Sequence, residues 1–316
     1  MAVESTILNI EPMDLSNTCL EKQSLKGKVA LITGGSSNIG LGYARAIAWA
    51  GGKVVISDIN EESGIEAERV INAENGDGTA LFVKCDVTKQ DDVKSLSQKA
   101  FAKFEKVDIL IHNAMNMRLN GSLLGSDVDD LDQSYAISAR GMMLLAKEFV
   151  PLMVERKYGV VAYSATQFHY CPPMIGGTIY TAGKSAAASI TMSLANEVKD
   201  TGVHVFCMTP AGVLRIDESR VPPPRNPDAP KFDRAAFSMP GFNGFIPPEA
   251  GGAAMVYCIL NAGSIHGSGI IINDAFDAMN YPFEKPETAV RPKPNRLSDM
   301  ELTMVLCTMG PGFERS

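Results

Sequence analysis

Short apolar runs alternate with longer amphipathic stretches along most of this chain. Lys28-Val29-Ala30-Leu31-Ile32, Lys53-Val54-Val55-Ile56-Ser57 and Val203-His204-Val205-Phe206-Cys207-Met208 each read as a buried strand. The pattern predicts strands at 28–33, 53–57, 79–85, 108–112, 159–165, 203–208 and 269–273. It predicts helices at 40–50, 61–73, 88–104, 128–155, 178–198 and 248–261. Strand and helix in alternation imply an α/β fold, a Rossmann-type doubly wound parallel sheet in a single domain with helices on both faces. Right-handed crossovers then bring the carboxyl ends of the strands to one edge, where a ligand is expected.

Candidate chemistry gathers at those strand ends. Thr33-Gly34-Gly35-Ser36-Ser37-Asn38-Ile39-Gly40 follows the first strand and opens the first helix, the context a dinucleotide fingerprint requires. Gly34 and Gly35 permit a tight turn, Gly40 lets helix and strand approach, and the first-turn amides can face a pyrophosphate. Asp58 ends the second strand about 20 residues further on, where a carboxylate binds both ribose hydroxyls and repels a 2′-phosphate. Asp86 follows the third strand, facing an adenine amino group or, with Thr88, introducing the next helix. Tyr180 and Lys184 lie at i and i+4 of a helix, one turn apart on one face. An ammonium beside a phenol favours the phenolate, so Lys184 is expected to lower the pKa of Tyr180 for proton transfer at a carbonyl or alcohol oxygen.

This ordered set of motifs, over roughly residues 25 to 275, resembles the short-chain dehydrogenase/reductase family, of the kind often found in secondary-metabolite biosynthesis. The resemblance implies a Tyr and a Lys at 180 and 184 acting around a nicotinamide, with a serine and a helical asparagine beside them. Gapless counting along the fifth strand puts the serine position on Thr166. Ser164, two residues earlier, is the alternative by residue type, and both hydroxyls could point into one site. The helical asparagine is replaced by Ser138, which either supports a proton-relay water or merely packs. The resemblance places Gly34, Ser36, Asn38, Ile39, Asp58, Asp86, Val87, Asn113 and Ala114 around the cofactor. Tyr180, Lys184, Pro210, Gly212 and Val213 complete that set. Asn38 stands where the family has a glycine, and asparagine tolerates positive φ. His112 and Met115 replace the outer residues of the family's Asn-Asn-Ala-Gly, and His112 reads as a packed or ribose-facing residue. His169 reads as a rim residue.

The resemblance also divides the chain. Residues 1–27 form a polar leader expected to be mobile, and 28–280 the catalytic domain. Residues 214–247, with Pro222, Pro223, Pro224, Phe232, Phe237 and Phe242, form a substrate-lid insertion too long for a connector. Residues 281–316 form a C-terminal extension. The lid aromatics suggest a bulky apolar substrate.

Composition narrows the rest. A net charge of −7 argues against nucleic acid as a partner. The six cysteines lack C-x-x-C spacing, and Cys85, Cys207 and Cys258 read as reduced core residues. Four histidines without ligand spacing give no zinc site, so no metal is expected. No apolar run approaches the roughly 18 residues of a membrane span, and the acidic leader is not a secretory signal, so a cytoplasmic location is expected. The whole reads as an oxidoreductase interconverting a ketone and a secondary alcohol on a bulky small molecule, with NAD(H) favoured by Asp58 and NADP(H) the alternative. It is expected to be a homodimer or homotetramer through the helices at 128–155 and 178–198. The rival is a non-redox isomerase, dehydratase or cyclase on the same scaffold, or a nucleotide sensor without turnover.

Overall fold

The computed structural model describes residues 13–116, 119, 123–166, 177–210 and 246–281. Seven strands form one parallel sheet in the order β3-β2-β1-β4-β5-β6-β7. They are β1 Val29–Thr33, β2 Lys53–Asp58, β3 Ala80–Lys84, β4 Ile109–His112, β5 Gly159–Ser164, β6 Val203–Thr209 and β7 Gly269–Ile271. The helices are α1 Asn38–Trp49, α2 Glu61–Asn75, α3 Gln90–Phe104, α4 Val128–Tyr135, α5 Gly141–Glu155, α6 Thr178–Glu197, α7 Pro248–Leu260 and α8 Ile272–Ala278. The order reverses between β1 and β4, and the crevice above that switch point is where the glycine turn and the end of β4 meet.

Each central strand is buried on both faces, so its alternate residues feed two cores. Ala30 and Ile32 of β1 pack with α1, α7 and α8, while Val29 and Leu31 pack with α3, α5 and α6. Helices α1 and α7 touch backbone to backbone: a Cβ on Gly42 would lie 2.0 Å from the carbonyl oxygen of Pro248, and one on Gly252 2.3 Å from that of Gly42. Beside this contact the fully buried Arg45 forks onto Glu74 of α2 (2.6 and 3.0 Å) and reaches Glu249 of α7 (3.0 Å). A guanidinium satisfies two carboxylates in this way because its donors are planar and fixed.

Three expectations change. Residues 13–27 are not a mobile leader: Leu15, Leu20 and Leu25 are buried in the α1/α7 core, and the Leu25 amide donates to the Ala50 carbonyl at 2.8 Å. The single helix expected over 128–155 is interrupted by a π-turn, Ala136–Arg140. The strand expected over 269–273 is only three residues long, because Ile272 and Phe276 bury themselves as the inward face of α8.

Arg45→Met leaves two carboxylates without their shared guanidinium. It is expected to lower unfolding stability by about 3 kcal/mol, measured by urea denaturation, and a loss below about 1 kcal/mol would contradict the role given to this triad.

Candidate active site

The first strand ends in Thr33 and the chain turns at once. Gly34 has φ 62°, and a Cβ there would lie 2.9 Å from the Ala114 Cα. A Cβ on Gly40 would lie 2.0 Å from the Gly34 carbonyl oxygen. Asn38 takes φ 42°, the left-handed region in which asparagine is the best substitute for glycine. Ser37, which precedes α1, makes no side-chain capping bond. The first-turn amides of α1 are thus not satisfied by a cap, and the turn fits an anionic group.

The carboxylate of Asp58 is fixed beside this turn. Its Oδ2 accepts from the Ser36 hydroxyl at 2.6 Å and the Ser36 amide at 3.2 Å, and its Oδ1 from the Asn60 amide at 3.1 Å. Ser36, expected among the cofactor contacts, is itself buried and uses its hydroxyl to hold Asp58. Asp86 folds back on its own loop, accepting from the Thr88 amide (3.0 Å) and hydroxyl (2.7 Å). Burial works to raise its pKa, but the Thr88 bonds and nearby Lys89 outweigh it and hold the carboxyl below its ordinary range. It does not cap α3, whose first residue is Gln90 and whose cap position is Lys89. Val87 is buried beneath this loop.

At the end of β4, His112 is completely buried. Its Nε2 faces the carbonyl oxygens of Ser138 (3.0 Å) and Ile137 (3.1 Å), which only accept, so Nε2 carries the proton. Its Nδ1 therefore accepts from the Thr33 hydroxyl at 2.8 Å. That hydroxyl oxygen in turn accepts from the amides of Asn113 (3.0 Å) and Ala114 (3.1 Å). Asn113 completes the junction, its side-chain amide donating to the Gly34 carbonyl at 3.1 Å. Burial, with the Lys184 charge adding to it, lowers the His112 pKa to about 4, so the ring is neutral at physiological pH. The π-turn now has a cause: a widened turn releases carbonyls from the α-helical ladder, and His112 takes up two of them. Ser138 is buried, its hydroxyl 3.5 Å from the sulfur of Met115 and close to the Tyr163 phenol.

Tyr180 and Lys184 project from α6 towards the end of β5. The Lys184 ammonium donates to the carbonyl oxygen of Ser164 at 2.6 Å. Thr166 hydrogen-bonds the Tyr180 phenol. The two hydroxyls weighed for one role are therefore separated: Thr166 meets Tyr180, whereas the Ser164 hydroxyl lies 3.2 Å from that of Tyr43, inside the α1 side of the core. The expectation that Lys184 lowers the Tyr180 pKa is not met. Burial raises the phenol to about 12 and the Thr166 bond pulls only partly back. Burial lowers Lys184 to about 7, although its ammonium keeps the Ser164 carbonyl as an acceptor. Pro210 follows β6. Gly212, Val213, His169, residues 214–245 of the lid expected at 214–247, and the tail beyond 281 lie outside the described residues.

The model of the short chain dehydrogenase family matches residues 28–217. This chain belongs to that family. It is similar to tropinone reductase-like 1 of Erythroxylum coca, 33% identical over 195 residues that cover 60% of this chain and 69% of the relative. It is 30% identical over 192 residues to secoisolariciresinol dehydrogenase of Forsythia intermedia, covering 60% and 67%. The crystal structure of a 3-ketoacyl-(acyl-carrier-protein) reductase from Brucella melitensis, complexed with NADH, superposes with a TM-score of 0.66 at 29% identity, over 78% of this chain and 97% of that one. This short-chain dehydrogenase is an NAD(P)-dependent oxidoreductase that interconverts a ketone and a secondary alcohol.

Sequence reading missed three members of the site. Thr33, the residue before the glycines, is the hub of the junction. Tyr43 takes the Ser164 hydroxyl. Tyr163, the neighbour of Ser164 in β5, lies on the opposite face of the sheet and under Lys184. The period of two along a strand was the available signal for Tyr163.

His112 binds its proton less readily in the fold than its ordinary 6.5, at about 4. Its contribution to stability is therefore present above pH 6.5 and is lost as pH falls towards 4. Thermal unfolding of His112→Asn is expected to show a shallower decline over that interval than the parent. Equal slopes would refute the neutral, doubly bonded ring.

Proposed function

We propose that Tyr180 is the proton-transfer residue of this oxidoreductase, that Thr166 holds the substrate oxygen, and that Lys184 binds the cofactor ribose. The hydrogen bond between Thr166 and Tyr180 carries the reading, because it puts a donor and a proton source at one point beside the crevice. With a pKa of about 12 the phenol keeps its proton at neutral pH, which suits ketone reduction. The nicotinamide supplies the hydride in that direction. Tyr180 gives its proton to the carbonyl oxygen as the carbonyl carbon is reduced, and the Thr166 hydroxyl polarises the same oxygen. Tyr43 holds Ser164 out of this role, and Ser138 would support a proton-relay water.

NAD(H) is the preferred cofactor in this reading and NADP(H) the alternative. The pyrophosphate would lie on the α1 amides near Gly34, Asn38 and Ile39. Asp58 would take the ribose hydroxyls. Pinned by Ser36 and Asn60, that carboxylate cannot swing away from a 2′-phosphate without breaking three hydrogen bonds. Asp86 and Val87 would border the adenine, Asn113 and Ala114 the ribose, and Pro210, Gly212 and Val213 the nicotinamide. The substrate is a bulky apolar small molecule, with 214–247 as its lid and 281–316 as an extension. The enzyme is cytoplasmic and homo-oligomeric, and the exposed Tyr135 of α4 and Met143 of α5 support an interface there. No helix among the described residues is long and apolar enough to cross a membrane.

Three variants test the assignment, using NAD(P)H absorbance and a panel of bulky cyclic ketones. Tyr180→Phe is expected to lower kcat by about 10²–10⁴-fold. Thr166→Ala should cost on the order of 10²-fold and far more than Ser164→Ala; the reverse order would move the role to Ser164. Asp58→Ala should raise use of NADPH relative to NADH by about tenfold or more, and an unchanged ratio would remove Asp58 from the ribose site.

A further inference from the structure

Lys184 is a buried ammonium without a carboxylate. Among the described residues no ion pair includes it. The titratable groups facing it are Cys207 of β6, His112 of β4, Tyr163 of β5 and, one turn away on its own helix, Tyr180. All four are neutral at physiological pH. Burial raises the Cys207 thiol to about 12 and the Tyr180 phenol to about 12, raises Tyr163 well above its ordinary range, and lowers His112 to about 4. A charge in such surroundings needs dipoles or an aromatic face.

Two contacts supply these. One is the Ser164 carbonyl at 2.6 Å. The other is the ring of Tyr163, whose centroid lies 5.0 Å from the ammonium. Tyr163 is wholly buried between the β4 and β6 neighbours of its strand, with the His112 ring 5.7 Å away. Among the described residues its hydroxyl makes no hydrogen bond of full geometry, and its one polar neighbour acting on the phenol is the Ser138 hydroxyl. A buried tyrosine hydroxyl is normally paired, and leaving it unpaired is costly. The hydroxyl is thus held by Ser138 at most, whereas the ring face meets the Lys184 ammonium.

We propose that Tyr163 is a positioning residue for the reaction, its ring face seating the Lys184 ammonium and sustaining its charge. The proposal rests on the role given to Lys184 above. Adjacent residues of one strand act together, the backbone of Ser164 giving Lys184 an acceptor and the side chain of Tyr163 giving it a face. Removing electron density from the ring weakens the hold on the charged form, so Lys184 loses its proton at lower pH.

The test is an NMR titration of the Lys184 side chain in the full-length, lysine-labelled protein, with the signal assigned by its loss in Lys184→Met. Tyr163→Phe keeps the ring and should keep the wild-type midpoint. Increasingly fluorinated phenylalanines at 163 keep shape and burial, which guards against misfolding. They should lower the midpoint stepwise, by about half to one and a half units at full fluorination. Tyr163→Leu should lie at the low end of the series. The alkaline limb of kcat/KM for NAD(P)H-dependent ketone reduction should move in parallel. A stationary midpoint across the series, with turnover intact in the wild type, overturns this proposal alone. A moving midpoint in a wild-type protein that reduces no ketone with NADH or NADPH upholds the ring contact and overturns the redox role instead.

Discussion

A single hydroxyl, that of Thr33, fixes the relative positions of three segments that make the site. It accepts from the Asn113 and Ala114 amides and donates to His112, whose other nitrogen holds the π-turn. Every donor and acceptor in that chain has one partner role available to it, so the arrangement admits one tautomer and one rotamer. Such a network is worth most when complete, because any missing member strands a buried polar group. Glycine turn, β4 end and the helix bearing Ser138 are consequently one rigid unit. On it the second unit of the site is set, the end of β5 with α6 across it.

In that second unit the electrostatics oppose the simplest expectation. Spacing along a helix makes Tyr180 and Lys184 neighbours, but neighbours need not share a proton. The ammonium is drawn to a carbonyl 2.6 Å away, and burial dominates both groups. A phenol that keeps its proton beside a hydroxyl donor is a resting acid. Here burial, more than pairing of charges, sets the protonation of both groups.

The parallel sheet, the strands and most helix boundaries were legible because strands buried on both faces leave uninterrupted apolar runs, and the positive φ of Gly34 and Asn38 follows from turn chemistry. What was not legible depends on contacts distant in sequence. The π-turn needs His112, some 25 residues upstream. The choice between Ser164 and Thr166 needs Tyr43, 121 residues before Ser164. The packed segment 13–27 has too few apolar residues for periodicity to show, and only Met13 and its three leucines reach the core.

The close seat of α7 on α1 has a consequence for how this enzyme can change. Segment 211–245 leaves from the end of β6 and returns at the buried Ile246, just before the backbone contact of Pro248 with Gly42. The residues flanking both of its ends are thus clamped, to the sheet on one side and to α1 on the other. Lengthening a loop between fixed ends is cheap, about 0.6 kcal/mol for each doubling. The stretch proposed as the substrate lid can therefore be exchanged for one of another size while the sheet and the helices around it stay as they are, which lets one scaffold be recruited to new molecules by altering a replaceable insert.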